Sequence, residues 1–379
     1  MISSLTSERV RRDIDVVAHA GLGLDEFFAE TVESLRRAVP VDAACVATFD
    51  PNTLMLTSAR KYGDLFGRDE RDHDFGLLEY GGCEPSSYRE LATRKCDAVG
   101  MNLFTRGQVK QSERMSQLMI PEYCFHDEAR LSIRDGDRLW AGIAMFRSGA
   151  GCRPFDEDEI EFLASLSQTL AHGVRIGLLS AVITEPRDSI AHGPAVLIID
   201  RNNEVVQMSA GSEERIEDLT AGPNSASAIN PIFGLIGAAR RYGTGETDVP
   251  PRLRVRGKSG MWLVLNASPL SSADGRTADV VVTIEEARPP EIIPLVVEAF
   301  GLTARERDVT QMVLQNVATK DIAAALHVSA YTVQDHLKSI FDKAGVRSRR
   351  ELIARVYFDQ YANRIGDRLT PSGSFAATE

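Results

Sequence analysis

The side chains best suited to reading nucleic-acid bases are gathered near the C-terminus. In the stretch beginning at Ala330 (AYTVQDHLKSIFDKA), Val333, Leu337, Ile340 and Ala344 recur at spacings of four, three and four, which places them on one helix face and predicts that this face is core. Tyr331, Gln334, Asp335 and Lys338 fall on the other side, with Gln334 and Lys338 one turn apart and Asp335 beside them. Such side chains can reach base edges. A carboxylate among them is repelled by phosphate but can accept from cytosine N4. From Gly301 to Gly366 the Arg and Lys residues outnumber Asp and Glu to give +3, on a chain whose net charge is −11. A basic module on an acidic protein fits phosphate binding confined to that module.

The elements that must position these side chains are marked in the sequence. Thr303 with Glu306 and Ser348 with Glu351 form T-x-x-E and S-x-x-E capping boxes, so helix starts flank a central pair. That pair, Thr319 to Leu326 and Ala330 to Lys343, is separated only by His327, Val328 and Ser329, which is helix-turn-helix spacing. Ala323 to Ala325 are small enough for the two backbones to pack closely.

Three phrases, LTARERDV from Leu302, TKDIA from Thr319 and T-V-x-x-H-L-x-x-I-F-x-K from Thr332 to Lys343, make this segment similar to the LuxR-type helix-turn-helix over ~65 residues. The resemblance implies that Gln334, Asp335 and Lys338 face the major groove of double-stranded DNA. It also implies that Thr332, Lys343, Arg347 and Arg349 lie near phosphates, with Tyr331 beside the reading surface, and that the last helix pairs two copies. The chain departs from the family at Asn316, usually Gly, though Asn also tolerates a left-handed backbone. Asp335 stands where relatives often carry a basic or neutral residue, so it should sharpen base choice while weakening nonspecific affinity. The alternative is a four-helix module that binds protein.

A chain of 379 residues is too long for one core and suggests two or three domains. No apolar run has the length of a membrane span, and the first residues lack the apolar stretch of a signal peptide. Five cysteines at irregular spacing, without C-x-x-C, argue against a disulfide framework or structural zinc and for a reducing, cytoplasmic setting.

In the N-terminal half, LDEFFAETVESLRRAVP reads as a helix, AACVATF and LMLTSAR as strands, and ARLSIRD with RLWAGIAMFR as a hairpin through Asp135-Gly136-Asp137. Asp156 and Glu159 then open a helix. Its stripe of Ile160, Leu163, Leu166, Leu170, Val174 and Leu178 runs from Asp158 to Ile183, and its later turns are expected to pair with a second subunit. This order, with the phrase RPFDEDEIEFL, resembles a GAF domain, a fold that binds small molecules or pairs subunits. His73, Cys83, Cys96, Cys124 and His126 fall in its crossover, where a shared metal or haem role is imaginable and ordinary packing is the simpler reading. Further on, two strands (AVLIID, EVVQMS), helices at Ser212 to Leu219 and Pro231 to Tyr242, and three strands resemble a PAS domain in order and length. Without a cysteine it cannot form a flavin-thiol adduct.

The expected fold class is multidomain α+β: antiparallel-sheet GAF-like (1–183) and PAS-like (184–288) sensory domains, an all-α helix-turn-helix (289–366), and a disordered tail (367–379). PRDSIA from Pro186 reads as a linker, and Pro289, Pro290 and Pro294 punctuate the join to a short helix from Leu295 to Phe300. The expected function is that of a homodimeric transcriptional regulator that is not an enzyme. It would respond to a small molecule or partner through the sensory domains and meet RNA polymerase, with no cofactor identified. Two alternatives remain: a constitutive DNA-binding protein that uses its sensory domains only to dimerise, and a redox, metal or haem sensor.

Overall fold

The computed structural model describes residues 4–82, 84–180, 194–219, 231–271 and 277–357. The linker from Pro186, the end of the expected helix at Ile183, Cys83 and the C-terminal tail lie outside them.

The first sheet contains β1 (Ala43–Phe49), β2 (Leu56–Gly63), β3 (Ala98–Gly100), β4 (Phe125–Asp135) and β5 (Arg138–Ser148), in the order β2-β1-β5-β4-β3, and is antiparallel throughout. Every residue of β1 is buried because both faces of the sheet are covered. On one face Ala44, Val46, Leu131 and Ile143 pack with α1 (Ser4–His19), α2 (Leu24–Ala38), α7 (Glu157–Ala164) and α8 (Ser167–Leu179). On the other, Ala43, Cys45, Ala144 and Phe146 meet the crossover of α3 (Asp72–Tyr80), α4 (Tyr88–Thr93), α5 (Met101–Phe104), a 3-10 turn (Val109–Gln111), a π-turn (Met115–Met119) and α6 (Ile120–Tyr123).

The single exit helix expected from Asp158 to Ile183 is two helices. The Asp156 and Glu159 capping box starts α7, and the chain breaks at Ser165 and Leu166. Ser167 Oγ then donates to Ser132 O (2.7 Å) and accepts from Arg134 N (2.9 Å), pinning the start of α8 to β4. The stripe is consumed within the chain: Leu170 and Val174 are buried against α1 and α2, and Leu178 is half-buried.

The second sheet contains β6 (Ala195–Ile199), β7 (Val205–Met208), β8 (Arg252–Arg256), β9 (Trp262–Ser271) and β10 (Thr277–Glu286). Its antiparallel order, β7-β6-β10-β9-β8, repeats that of the first. α9 (Ser212–Leu219) and α10 (Pro231–Gly243) cross between β7 and β8. α10 packs on α3 through glycines: a Cβ on Gly237 would lie 3.1 Å from Gly81 N, and one on Gly76 would lie 3.0 Å from the Phe233 Cβ. A second junction is ionic and buried. Arg254 Nη2 and Nε donate to Asp50 Oδ1 (2.6 Å) and Oδ2 (2.8 Å), while Arg254 Nη1 donates to Glu291 O (3.1 Å).

Glu291 belongs to α11 (Pro289–Ala299), which is longer than the helix expected from Leu295. Two prolines begin it, where a missing N–H costs nothing, and Glu291 accepts from Arg288 N at 2.7 Å. Pro294 lies inside the helix on its exposed side. α11 leads into α12 (Ala304–Leu314), α13 (Thr319–Ala325), α14 (Ala330–Ala344) and α15 (Arg349–Tyr357).

Candidate functional site

The helix-turn-helix is assembled by local rules. Thr303 Oγ1 accepts from Glu306 N (3.3 Å) while Glu306 Oε2 accepts from Thr303 N (2.7 Å), closing the capping box that starts α12. Asn316 takes φ +60° after α12 and His327 takes φ +54° after α13, so the two abrupt turns rest on left-handed residues. Ser329 Oγ accepts from Thr332 N at 3.0 Å and caps α14, while Gly345 ends it at φ +66°. α13 stops at Ala325, one residue earlier than the pattern suggests.

Val333, Leu337, Ile340 and Ala344 are buried, with Val333 and Ile340 at 0% exposure. Each large member contributes roughly 1.5–3 kcal/mol of burial, which fixes the rotation of α14 and turns its other face outward. Gln334, Asp335 and Lys338 are exposed on that face, and Tyr331 is 74% exposed at its start. The structure thus gathers four of the expected site residues on one open surface.

The remaining four are placed differently. Thr332 is half-buried, its hydroxyl 2.8 Å from Ser329 Oγ within the cap. Lys343 Nζ donates to Glu306 Oε2 at 2.6 Å, and Ser339 Oγ donates to the other oxygen at 2.6 Å. Burial alone would raise the Glu306 carboxyl, but Lys343, Ser339 and the Thr303 cap hold it down at about 2. Arg349 Nη2 donates to Val317 O at 2.6 Å, tying α15 to the turn before α13. Arg347 is exposed, and its backbone N donates to Glu351 Oε2 (2.8 Å). Lys320 on α13 and Arg350 on α15 are also exposed; the sequence pattern counted them as charge without giving them a place. Leu352 and Val356 of α15 are buried, and α15 packs on α11 as well as on α12 and α14.

In the N-terminal domain the crossover cysteines and histidines are dispersed. Cys96 Sγ donates to Ala98 O, His126 Nδ1 lies 2.9 Å from Cys124 O, and His73 lies against Phe233. Burial pushes the Cys45 thiol up to about 12. Among the described residues no three His, Cys, Asp or Glu side chains are grouped to hold a metal ion. An open cleft of about 550 Å³ is lined by Asn102, Gln108, Lys110, Gln111, His126 and Cys152, among others.

Two family models match. That for bacterial regulatory proteins of the luxR family covers residues 301–356, and that for the GAF domain covers residues 23–174. The spore germination protein GerE of Bacillus subtilis is 36% identical over 55 residues, 14% of this chain and 74% of that protein. The monoamine regulon transcriptional regulator of Klebsiella aerogenes is 43% identical over 56 residues, 15% of this chain and 25% of that one. An HTH-type transcriptional regulator of Mycobacterium bovis is 46% identical over 53 residues, 14% of this chain, which spans only 6% of that relative's length. Among solved structures, the Vibrio cholera VqmA-ligand-DNA complex is 20% identical, covering 45% of this chain and 82% of its own, at a TM-score of 0.23. Among the described residues no helix is long and apolar enough to cross a membrane. The chain belongs to the LuxR family of bacterial regulatory proteins and carries a GAF domain ahead of its helix-turn-helix.

Proposed function

We propose that this protein is a sequence-specific transcriptional regulator that reads double-stranded DNA with α14 and is controlled by its GAF and PAS-like domains. The observation that carries the reading is the open face of α14. Gln334, Asp335 and Lys338 stand exposed there, on a helix whose opposite side is locked into the module's core. Gln334 and Lys338 would meet base edges, Asp335 would select a cytosine amine, and Tyr331 would contact the first base step. Arg347, with Lys320 and Arg350, supplies the exposed cations for phosphates, and Thr332 adds its hydroxyl. Lys343 and Arg349 act mainly by holding helices together, since each already has an internal acceptor.

Two copies would bind paired half-sites. α15, the helix through which the family resemblance would pair them, is packed on α11 in this chain. A movement of α11 would therefore change how α15 is presented for pairing. α11 also receives Arg254 from the second sheet and, at Glu298, Arg138 from the first (2.8 Å), so both sensory domains hold it. A ligand or partner that favours the released arrangement would shift the population toward paired reading heads.

The test is selection from a random DNA pool by the full chain, followed by binding at several salt concentrations. A recovered pair of related half-sites, with specific affinity exceeding nonspecific by ~10³-fold or more, supports the reading. Recovery of no preferred sequence would remove it.

A further inference from the structure

Each sheet ends in two edge strands, and among the described residues all but one of these are protected. β2 and β8, which carry Arg60, Lys61, Arg252, Arg254 and Arg256, lie against each other, and β3 is only three residues long. β7 closes the other end of the second sheet, with β6 as its one strand neighbour. Its sequence, VVQM, holds no charge and no proline, and all four residues are exposed. Val205 (46%), Val206 (52%) and Met208 (47%) place three large apolar side chains in solvent within four positions. An uncharged strand of high β-propensity, open along its edge, is a template for another strand.

The backbone fixes how that strand can be met. Ser209 N donates to Val196 O and Asp200 N donates to Glu204 O, and Gln207 pairs with Ile198, so Gln207 and Ser209 turn their backbone polar groups toward β6. Alternation turns those of Val206 and Met208 outward, and the register shift opposite Ile199 falls before Gln207. Two copies of β7 related by a two-fold axis at Gln207 bring the outward groups into register, with Val206 facing the partner's Met208 and Met208 facing the partner's Val206. About four backbone hydrogen bonds form. Val206 and Met208 of both copies then share one face of the joined sheet and cover one another. On the opposite face the two Gln207 side chains meet at the axis, where their amides can exchange hydrogen bonds.

The match in charge selects a second copy as the occupant. The axis sets Glu204 opposite the partner's Ala210, so no two like charges stand across from each other. Antiparallel pairing also brings the turn with exposed Arg201 beside the partner's α9, whose first turn carries exposed Glu213 and Glu214. The contact is small against the ~1,200 Å² of a stable interface. It is therefore expected to hold at roughly tens of micromolar, and to gain force when two reading heads share one DNA.

We propose that the protein self-associates through β7, joining the five-stranded second sheets of two copies into one continuous antiparallel sheet. This pairing needs no DNA and uses no residue of the helix-turn-helix, so it stands apart from the reading of α14 as the DNA-binding helix.

The test is sedimentation of the full chain without DNA from ~1 to ~100 μM. The wild-type protein should pass from monomer to dimer over that range. The Val206 and Met208 amides should exchange about tenfold more slowly at the upper end, while the Gln207 amide, turned toward β6, changes little. Val206→Lys sets a charge against the partner's apolar side chains, and Met208→Pro removes an outward N–H without touching the bonds to β6. Both variants should stay monomeric at ~100 μM with unchanged thermal unfolding; if the proline variant does not fold, Val206→Lys carries the test. A wild-type chain that remains monomeric throughout would overturn the proposal, leaving the edge open or meant for an unlike partner. A dimer that survives Val206→Lys would also overturn it, returning pairing to α15 or another surface, as would growth beyond dimers. No DNA enters this measurement, so its failure leaves the regulator reading standing, and a failed DNA selection leaves this one standing.

Discussion

Glu306→Gln, combined with Lys343→Met in a double-mutant cycle, tests whether Lys343 serves the reading head's interior or the DNA. Glu306 loses its charge in this variant and Lys343 loses its 2.6 Å acceptor. A carboxyl lowered from 4.5 to about 2 corresponds to roughly 3 kcal/mol at 1.36 kcal/mol per unit. That shift is shared among Lys343, Ser339 and the Thr303 cap, and the Lys343 side chain is 35% exposed, so after solvent screening the part coupled to Lys343 is about 1–2 kcal/mol. The sign follows from the direction: a folded-state pKa below the unfolded one contributes stability that is complete above pH 4.5 and is lost as pH falls toward 2. Both tryptophans, Trp140 and Trp262, lie in the two sheet domains, so the assay is hydrogen exchange of α12 and α14 amides in the four proteins of the cycle at pH 7. In parallel, DNA affinity against salt should keep its slope in Lys343→Met. A coupling energy under ~0.3 kcal/mol, together with a slope shallower by about one unit, would refute the reasoning and give Lys343 to phosphate.

Lys338→Ala should cost ~1–3 kcal/mol on selected DNA and little on random DNA, while Asp335→Ala should raise nonspecific affinity and broaden base choice at one position per half-site; parallel binding curves and selections check both. Asp50→Ala leaves Arg254 buried without its carboxylate and should destabilise the junction by about 3–5 kcal/mol, whereas replacing both by apolar residues should be close to neutral in thermal unfolding. Val174→Glu should unfold the N-terminal domain instead of yielding folded monomers, because that side chain is 1% exposed among α1, α2 and α8; sedimentation and circular dichroism separate the two results. His172 is lowered by burial and by His19, whose ring lies 4.5 Å away, so protonation opposes its folded environment. Acidifying below pH 6.5 should therefore loosen α1 from α8, as faster exchange in α1, and His172→Gln should abolish the effect.

The reading head was legible because its information is local. Capping boxes, a four-three-four apolar spacing and left-handed turn residues all lie within a few positions of what they determine, and Thr303, Val333 and Asn316 behave as their chemistry requires. The strands of both sheets other than the three-residue β3 were legible for the same reason, as β1 and β6 show. What the pattern could not supply is the partner chosen by a long side chain. The family resemblance implies phosphate contacts for Arg349 and Lys343, and nothing in a row of letters shows the internal acceptors that each also has. Only the fold brings Val317 O and Glu306 within reach of them. The break between α7 and α8 escaped for a related reason: a helical stripe continues through Leu166, and the hydroxyl of Ser167 is diverted by β4, a strand 35 residues away.

Those long-range partners also bear on where the proposed control would act. The α14 face is open in this arrangement, so a signal has no need to uncover it. α15 packs on α11 with part of its surface still exposed, and α11 is held by Arg252 and Arg254 from the second sheet, by Arg138 from the first, and by packing on α8. Arg254 gives α11 a single bond to Glu291 O through a guanidinium otherwise committed to Asp50, while Arg138 meets Glu298 with an exposed side chain. Burial raises the Glu298 carboxyl despite Arg138, so this second hold is only partly compensated. A change in the first sheet that withdraws Arg138 leaves Glu298 half-buried without its cation and favours movement of α11. On the proposed reading, the buried Asp50 and Arg254 pair would keep the two sheets together through that movement. It would then act as the pivot and the Arg138 and Glu298 pair as the release, an order of strengths that would let the sheet domains move the helix-turn-helix without coming apart themselves.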